Sequence, residues 1–172
     1  MRRIPVSSMV IHVSILLAFS GMSPLAADPA TEEQAVLAAV QKFFDGMTVR
    51  DVDAMRSVLV PEGRILAVRY QLDGSVKTRG STNGEFLDRL SDSTEIWLER
   101  MWEPTVLVHK DMAVVWTSYD FHRDGKFSHC GVDAFNLVKL DGCWKICNGT
   151  YTVEPEGCAQ SPLGPVKKSG KK

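Results

Sequence analysis

Residues 112–153 read MAVVWTSYDFHRDGKFSHCGVDAFNLVKLDGCWKICNGTYTV, and two Asp-Gly pairs, Asp124-Gly125 and Asp141-Gly142, separate runs rich in alternating apolar residues. Asp-Gly suits a two-residue hairpin loop, because both central residues of that turn need positive φ. The stretch therefore reads as three successive antiparallel strands whose register follows from the turns alone. Reversals centred on these pairs place Asp120 opposite His129, Trp116 opposite Asp133, and Asp133 opposite Thr150. Side chains alternate between the faces of a sheet. One face then collects Trp116, Ser118, Asp120, His129, Asp133, Phe135, Leu137, Trp144, Ile146, Asn148 and Thr150. An apolar floor with a polar cluster at one end is the pattern of a pocket.

Upstream, Thr31 and Gln34 fit a capping box ahead of Val36, Leu37, Val40, Phe43, Phe44 and Met47, whose spacing is that of one helical face. Asp51 is positioned as the N-cap of a short second helix that ends before Pro61. Arg64 to Gln71 reads as a strand, turned by Asp73-Gly74 into another around Val76 to Arg79. One of Arg69 and Tyr70 must face inward. Thr82 and Glu85 make a further capping box before Phe86, Leu87 and Leu90, after which a long strand starts near Thr94. Pro104 interrupts that strand and predicts a bulge, a bend or an edge position, because proline donates nothing to a ladder.

Helices gathered early, followed by strands that end in a run of four antiparallel ones, predict an α+β domain. The face of strand 127–139 opposite the expected pocket carries Cys130, Val132, Ala134 and Val138, beside Val115, Tyr119 and Phe121 on the neighbouring strand. With helices on one side only, a second apolar face predicts a homodimer through the outside of the sheet.

The chain has 172 residues, with 20 basic and 21 acidic side chains. Arg2 and Arg3 precede an apolar run from Val10 to Phe19 and the small pair Ala26-Ala27, so residues 1–27 read as a secretory signal peptide. Without them, 18 basic residues stand against 21 acidic ones, a net charge of −3. A nucleic-acid partner is not expected, since the only lysine cluster lies in the tail and a phosphate-backbone binder needs a basic stripe. No membrane span is expected once the leader is removed, and the expected location is secreted or periplasmic. Residues 28–155 form the expected domain, and 156–172, rich in proline, glycine and lysine, the expected disordered tail.

An exported chain permits disulfides. Cys143 and Cys147 lie about 13 Å apart along one strand and cannot bond each other. A bridge from Cys130 to Cys158 is sterically open, with buried free thiols as the alternative. The cysteine and histidine spacing fits no structural zinc site, and no glycine-rich phosphate loop or serine-hydrolase order is present, so neither metal nor cofactor is expected.

The segments Phe43-Phe44-Asp45-Gly46, Asp51-Val52-Asp53-Ala54-Met55 and Asp141-Gly142-Cys143-Trp144-Lys145-Ile146 resemble the cone-shaped domains related to nuclear transport factor two. That superfamily includes ketosteroid isomerase, scytalone dehydratase, SnoaL-type cyclases and secreted members labelled putative lumazine-binding. The resemblance covers roughly Glu32 to Val153. It is nearest to the secreted members through Ser128-His129-Cys130-Gly131-Val132-Asp133 and Tyr151-Thr152. It implies a curved, cystatin-like antiparallel sheet wrapped around N-terminal helices, with a cavity at the open end of the cone, often in a dimer. No motif aligns with the catalytic set of ketosteroid isomerase. The dehydratase and cyclase members use His and Asp in the cavity, and here only the residue types match, at Asp120, His129 and Asp133.

The expected function is binding of a small, partly apolar organic ligand by Trp116, Ser118, Phe135, Asn148 and Thr150. The alternatives are a non-catalytic dimerisation module and a cofactor-free isomerase or lyase. In the last, His129 abstracts a proton, Asp120 orients the imidazole and Asp133 donates to the developing oxyanion.

Overall fold

The computed structural model describes residues 29–166, so the expected leader, 1–27, and the last part of the expected tail, 167–172, lie outside the described residues. The elements run α1 (Pro29–Val49), α2 (Val52–Ser57), β1 (Leu59–Tyr70), β2 (Val76–Thr82), α3 (Asn83–Asp92), β3 (Trp97–His109), β4 (Met112–Arg123), β5 (Lys126–Leu140) and β6 (Cys143–Val153). Six strands form one sheet in the order β2-β1-β6-β5-β4-β3. Every neighbouring pair is antiparallel except β1 and β6, which run parallel. The domain is α+β, with a curved, mostly antiparallel sheet. No helix among the described residues is long and apolar enough to cross a membrane.

Local chemistry places the helices. Asp51 accepts from the Ala54 N–H at 2.9 Å and starts α2. Thr82 and Glu85 close a reciprocal capping box at the start of α3, with bonds of 3.2 and 2.7 Å. The first helix begins at Pro29, earlier than a cap at Thr31 would put it; proline is well tolerated in a first turn. Val36, Val40, Phe43, Phe44 and Met47 of α1 are buried against Phe135, Leu137, Trp144 and Ile146 of the sheet. At the start of the same helix Glu32 accepts from Lys139 Nζ (2.7 Å) and Trp144 Nε1 (2.9 Å). These two bonds fix how α1 lies in the cone.

Both late hairpins have the expected two-residue loops. Asp124 and Gly125 (φ 49° and 73°) and Asp141 and Gly142 (φ 50° and 77°) take the left-handed conformation these turns demand. Arg123 pairs with Lys126, and Leu140 with Cys143. The register beyond the turns corrects the one read from sequence. Each hairpin holds one extra residue, Ser128 in β5 and Cys147 in β6, at a bulge. Asp120 therefore faces Cys130 rather than His129, Trp116 faces Ala134, and Asp133 lies between Thr117 and Tyr151 rather than beside Thr150. Because the side-chain period is two, a one-residue slip turns a whole run of residues to the other face. Val115, Tyr119 and Phe121, expected outside, are instead in the core.

The break at Pro104 is both a bulge and an edge. The β3–β4 register shifts between Trp102 and Thr105, Glu103 takes a φ of 51°, and β3 is the last strand of the sheet. Bulges bend strands and raise their twist, and three within β3, β5 and β6 curl this half of the sheet around α1. Gly131 lies where β5 passes β6: a Cβ there would stand 2.3 Å from the Thr152 carbonyl oxygen.

Residues 156–166, read from composition as part of a disordered tail, are tied to the outer face of the sheet. Cys130 and Cys158 are disulfide-bonded, and Arg100 Nη1 donates to the Gly164 carbonyl at 2.9 Å. Cys143 and Cys147 are free thiols.

Candidate functional site

The concave face of the sheet, α1 and α3 enclose a cavity of about 700 Å³. Its walls are aromatic and aliphatic: Phe43, Phe44 and Met47 from α1, Ile65 and Ala67 from β1, Phe86 from α3, Trp97 from β3, Phe121 from β4 and Phe135 from β5. Phe43, Phe44, Phe86 and Phe135 pack with ring centroids 5.7–6.2 Å apart, a spacing at which aromatic pairs attract beyond their buried area. Alternation along each strand chooses these residues, and the bulges decide which parity faces inward.

Polar groups converge at two levels. Within the cone stand Glu99 from β3, Tyr119 from β4, His129 and Asp133 from β5, and Tyr151 from β6. Toward the sheet end of β1 and β2 stand Arg69, Lys77, Arg79 and Ser81, with Arg89 and Asp92 from α3 and Arg123 from β4.

Asp133 is 2% exposed, and its Oδ2 has no hydrogen-bond partner among the described residues. Burial pushes its pKa up to about 7, with hydrogen bonding to Glu99 pulling the other way. Glu99 is raised well above the usual carboxylate range, first by burial and then by the charge of Asp133. Two carboxyl groups this close cannot both ionise cheaply, so the pair titrates as a unit. Both shifts favour a proton held within the pair.

His129 stacks on Phe121 (4.9 Å between centroids) and meets Tyr119 edge-on (5.8 Å), while its Nδ1 lies 3.0 Å from Ser128 Oγ. Burial, followed by the positive charges of Arg69 and Arg123, lowers its pKa to about 4. The imidazole is neutral at pH 7. Tyr119 donates its hydroxyl to the Thr152 carbonyl at 2.5 Å; burial and then the charge of Glu99 raise its pKa far beyond neutral.

The structure divides the site residues expected from sequence. His129, Asp133 and Phe135 line the cavity. Asp120 does not. It is buried on the opposite face, where Arg100 grips both its oxygens, Nε to Oδ1 at 2.8 Å and Nη2 to Oδ2 at 2.5 Å, beside His122 at 3.6 Å. Trp116 and Ser118 alternate with the inward Tyr119 and share Asp120's face, Trp116 being 57% exposed. Asn148 and Thr150 are exposed and flank Gly149, which faces Phe135. The expected pairing of Asp120 with His129 is thus absent, because the bulge at Ser128 turns β4 over relative to β5. Of Arg69 and Tyr70, Arg69 is the inward one.

Glu99, Tyr151 and the basic residues at the mouth other than Arg69 were not expected in the site from sequence, and Tyr119 was expected on the opposite face. For Glu99 a signal existed: it alternates with Trp97 and Met101, which pack against the core.

A family model described as putative lumazine-binding matches residues 31–152. No curated protein matches the chain. Among solved structures, an NTF2-like protein of unknown function from Shewanella baltica is similar at 18% identity and a TM-score of 0.58, over 76% of this chain and 100% of that one. A putative dehydratase of the NTF2-like family from Streptomyces avermitilis matches at 18% identity and 0.56, over 73% and 98%. The beta subunit of a putative aromatic-ring-hydroxylating dioxygenase from Novosphingobium aromaticivorans matches at 11% identity and 0.61, over 76% and 94%. At these identities the likeness shows the shared fold.

Proposed function

From a chain that belongs to the putative lumazine-binding family of NTF2-like domains, we propose a binding protein that takes a small, partly apolar aromatic ligand into the cone, exported by its leader and dimeric through the outer face of its sheet. The observation that carries this reading is the cavity of about 700 Å³, walled by aromatic side chains and holding a few convergent polar groups. Ligand sites have this size and composition. The family's description supports a flat heteroaromatic body, which suits walls of Phe43, Phe86 and Phe135. Dimerisation is supported by an apolar strip on the other face, where Leu107, Met112 and Trp116 are 66%, 56% and 57% exposed.

The test fills the cavity. Ala67 is 7% exposed and lines the wall between β6 and β2. Ala67→Trp is expected to abolish binding of aromatic probes that the parent protein retains in a calorimetric screen, while the circular dichroism spectrum is unchanged. Retained affinity in that variant places the ligand elsewhere and overturns the reading.

One observation favours a second reading, a cofactor-free isomerase or lyase. Asp133 titrates near neutrality inside the cavity, where a general base works best, and Glu99 beside it, whose hold on a proton is strengthened by burial and by the charge of Asp133, is the group placed to donate to an oxyanion. His129, neutral and stacked on Phe121, then shapes the pocket.

A further inference from the structure

The mouth of the cone has a charge pattern that the packing of the fold does not explain. Arg69 on β1 lies directly opposite Lys77 on β2, and Arg79 lies opposite Ala67, two residues along. All three line the cavity from the same face of the sheet. Like charges directly opposite one another on a sheet repel. Among the described residues none of the three forms a salt bridge. The other cations at the rim are engaged, Arg89 with Ser81 Oγ at 3.0 Å and Arg123 with Glu95 at 3.6 Å, and Asp92 is the acid beside them. The positive field reaches inward, since Arg69 acts on both His129 and Tyr151. At the other level the Oδ2 of Asp133 is buried and unpartnered, although buried polar atoms are normally satisfied.

We propose that the cavity is built for an aromatic molecule with two distinct ends: an anionic group, carboxylate or phosphate, held by Arg69, Lys77 and Arg79, and an O–H or N–H donor that satisfies Asp133. The proposal rests on the cone being a ligand cavity. It adds a polarity to the bound molecule. An anion placed among the three cations relieves their mutual repulsion and gains charge-assisted hydrogen bonds. A cleft lined by one sign of charge also concentrates ligands of the other sign. The donor end meets the acceptor that the fold leaves open.

The test uses matched probes and calorimetry. At low ionic strength para-hydroxycinnamate is expected to bind on the order of tenfold more tightly than para-hydroxycinnamide, whose anion is removed. High salt should shrink that difference. The double variant Arg69→Gln/Lys77→Gln changes exposed side chains, and should erase the difference in affinity between the acid and the amide. Blocking the donor in para-methoxycinnamate should weaken binding by a comparable factor. A preference for phenyl phosphate over phenol supports the same collar with phosphate as its anion. Acid and amide binding equally to the parent protein, with both aromatic rings still excluded by Ala67→Trp, overturns the collar and leaves the cavity intact as a binding site. Failure of every probe to bind overturns both.

Discussion

Asp120→Ala is expected to lower the free energy of unfolding by about 3 kcal/mol, near the bottom of the range for removing one partner of a buried ion pair. The Asp120 side chain is 5% exposed and that of Arg100 is 17%, so the arginine is left close to buried without its counter-charge. His122 loses the carboxylate that stands 3.6 Å from its Nδ1. The effect falls on the outer face, where Arg100 also holds the chain at Gly164. Binding inside the cone should be unaltered in the fraction that remains folded. Urea denaturation provides the measurement. A loss below about 1 kcal/mol, the value of a solvated surface pair, would mean that Asp120 and Arg100 are not buried together as described.

The second large effect concerns Asp133. Its pKa is raised from 3.8 to about 7 in the folded chain, so between those values the folded state holds a proton that the unfolded state has released. Stability from this group is fully present below about pH 4 and is lost as pH rises through about 7. His129 slopes the other way: with a folded pKa lowered to about 4 from 6.5, its contribution is present above 6.5 and lost as pH falls through 4. Asp133→Asn removes the first slope and leaves the second. Relative to the parent, the variant should gain on the order of 2–4 kcal/mol in stability between pH 4 and pH 8. Denaturant midpoints at a series of pH values test this. A parallel pair of pH profiles would show that Asp133 titrates like a solvated carboxylate. If the cone is an enzyme, the same variant should lose turnover.

How much of this was legible in residues 112–153 follows from parity along single strands. His129, Asp133 and Phe135 all lie on β5 beyond its bulge, so alternation keeps them on one face whatever their neighbours do. Trp144 and Ile146 lie between the Asp141-Gly142 turn and the bulge at Cys147, and they too point inward as expected. Asp120, Trp116 and Ser118 on β4, and Asn148 and Thr150 past the bulge on β6, depended on counting across a hairpin, and each count was broken by one residue. A turn has a required chemistry, positive φ at two positions, which Asp-Gly announces. A bulge has none of comparable strength: a serine and a cysteine occupy these two. Pro104 differed because a residue that cannot donate leaves few places in a sheet.

The pairing of Glu99 with Asp133 was illegible for another reason. It joins β3 to β5 across the intervening β4, and no local pattern reports which residues two strands apart will meet. The cationic mouth shares that origin. Arg69 and Lys77 become neighbours only when the hairpin at Asp73-Gly74 closes, and their inward direction depends on the whole sheet curving around α1.

The central claim, that the cone receives a small aromatic ligand, is tested most directly by intermolecular nuclear Overhauser effects from bound para-hydroxycinnamate to methyl-labelled protein. The account predicts contacts from the probe's ring to the methyl groups of Met47, Ile65 and Ala67, which line the cavity from α1 and β1. Contacts to Leu107 and Met112 on the outer face instead, with none to those three, would contradict it.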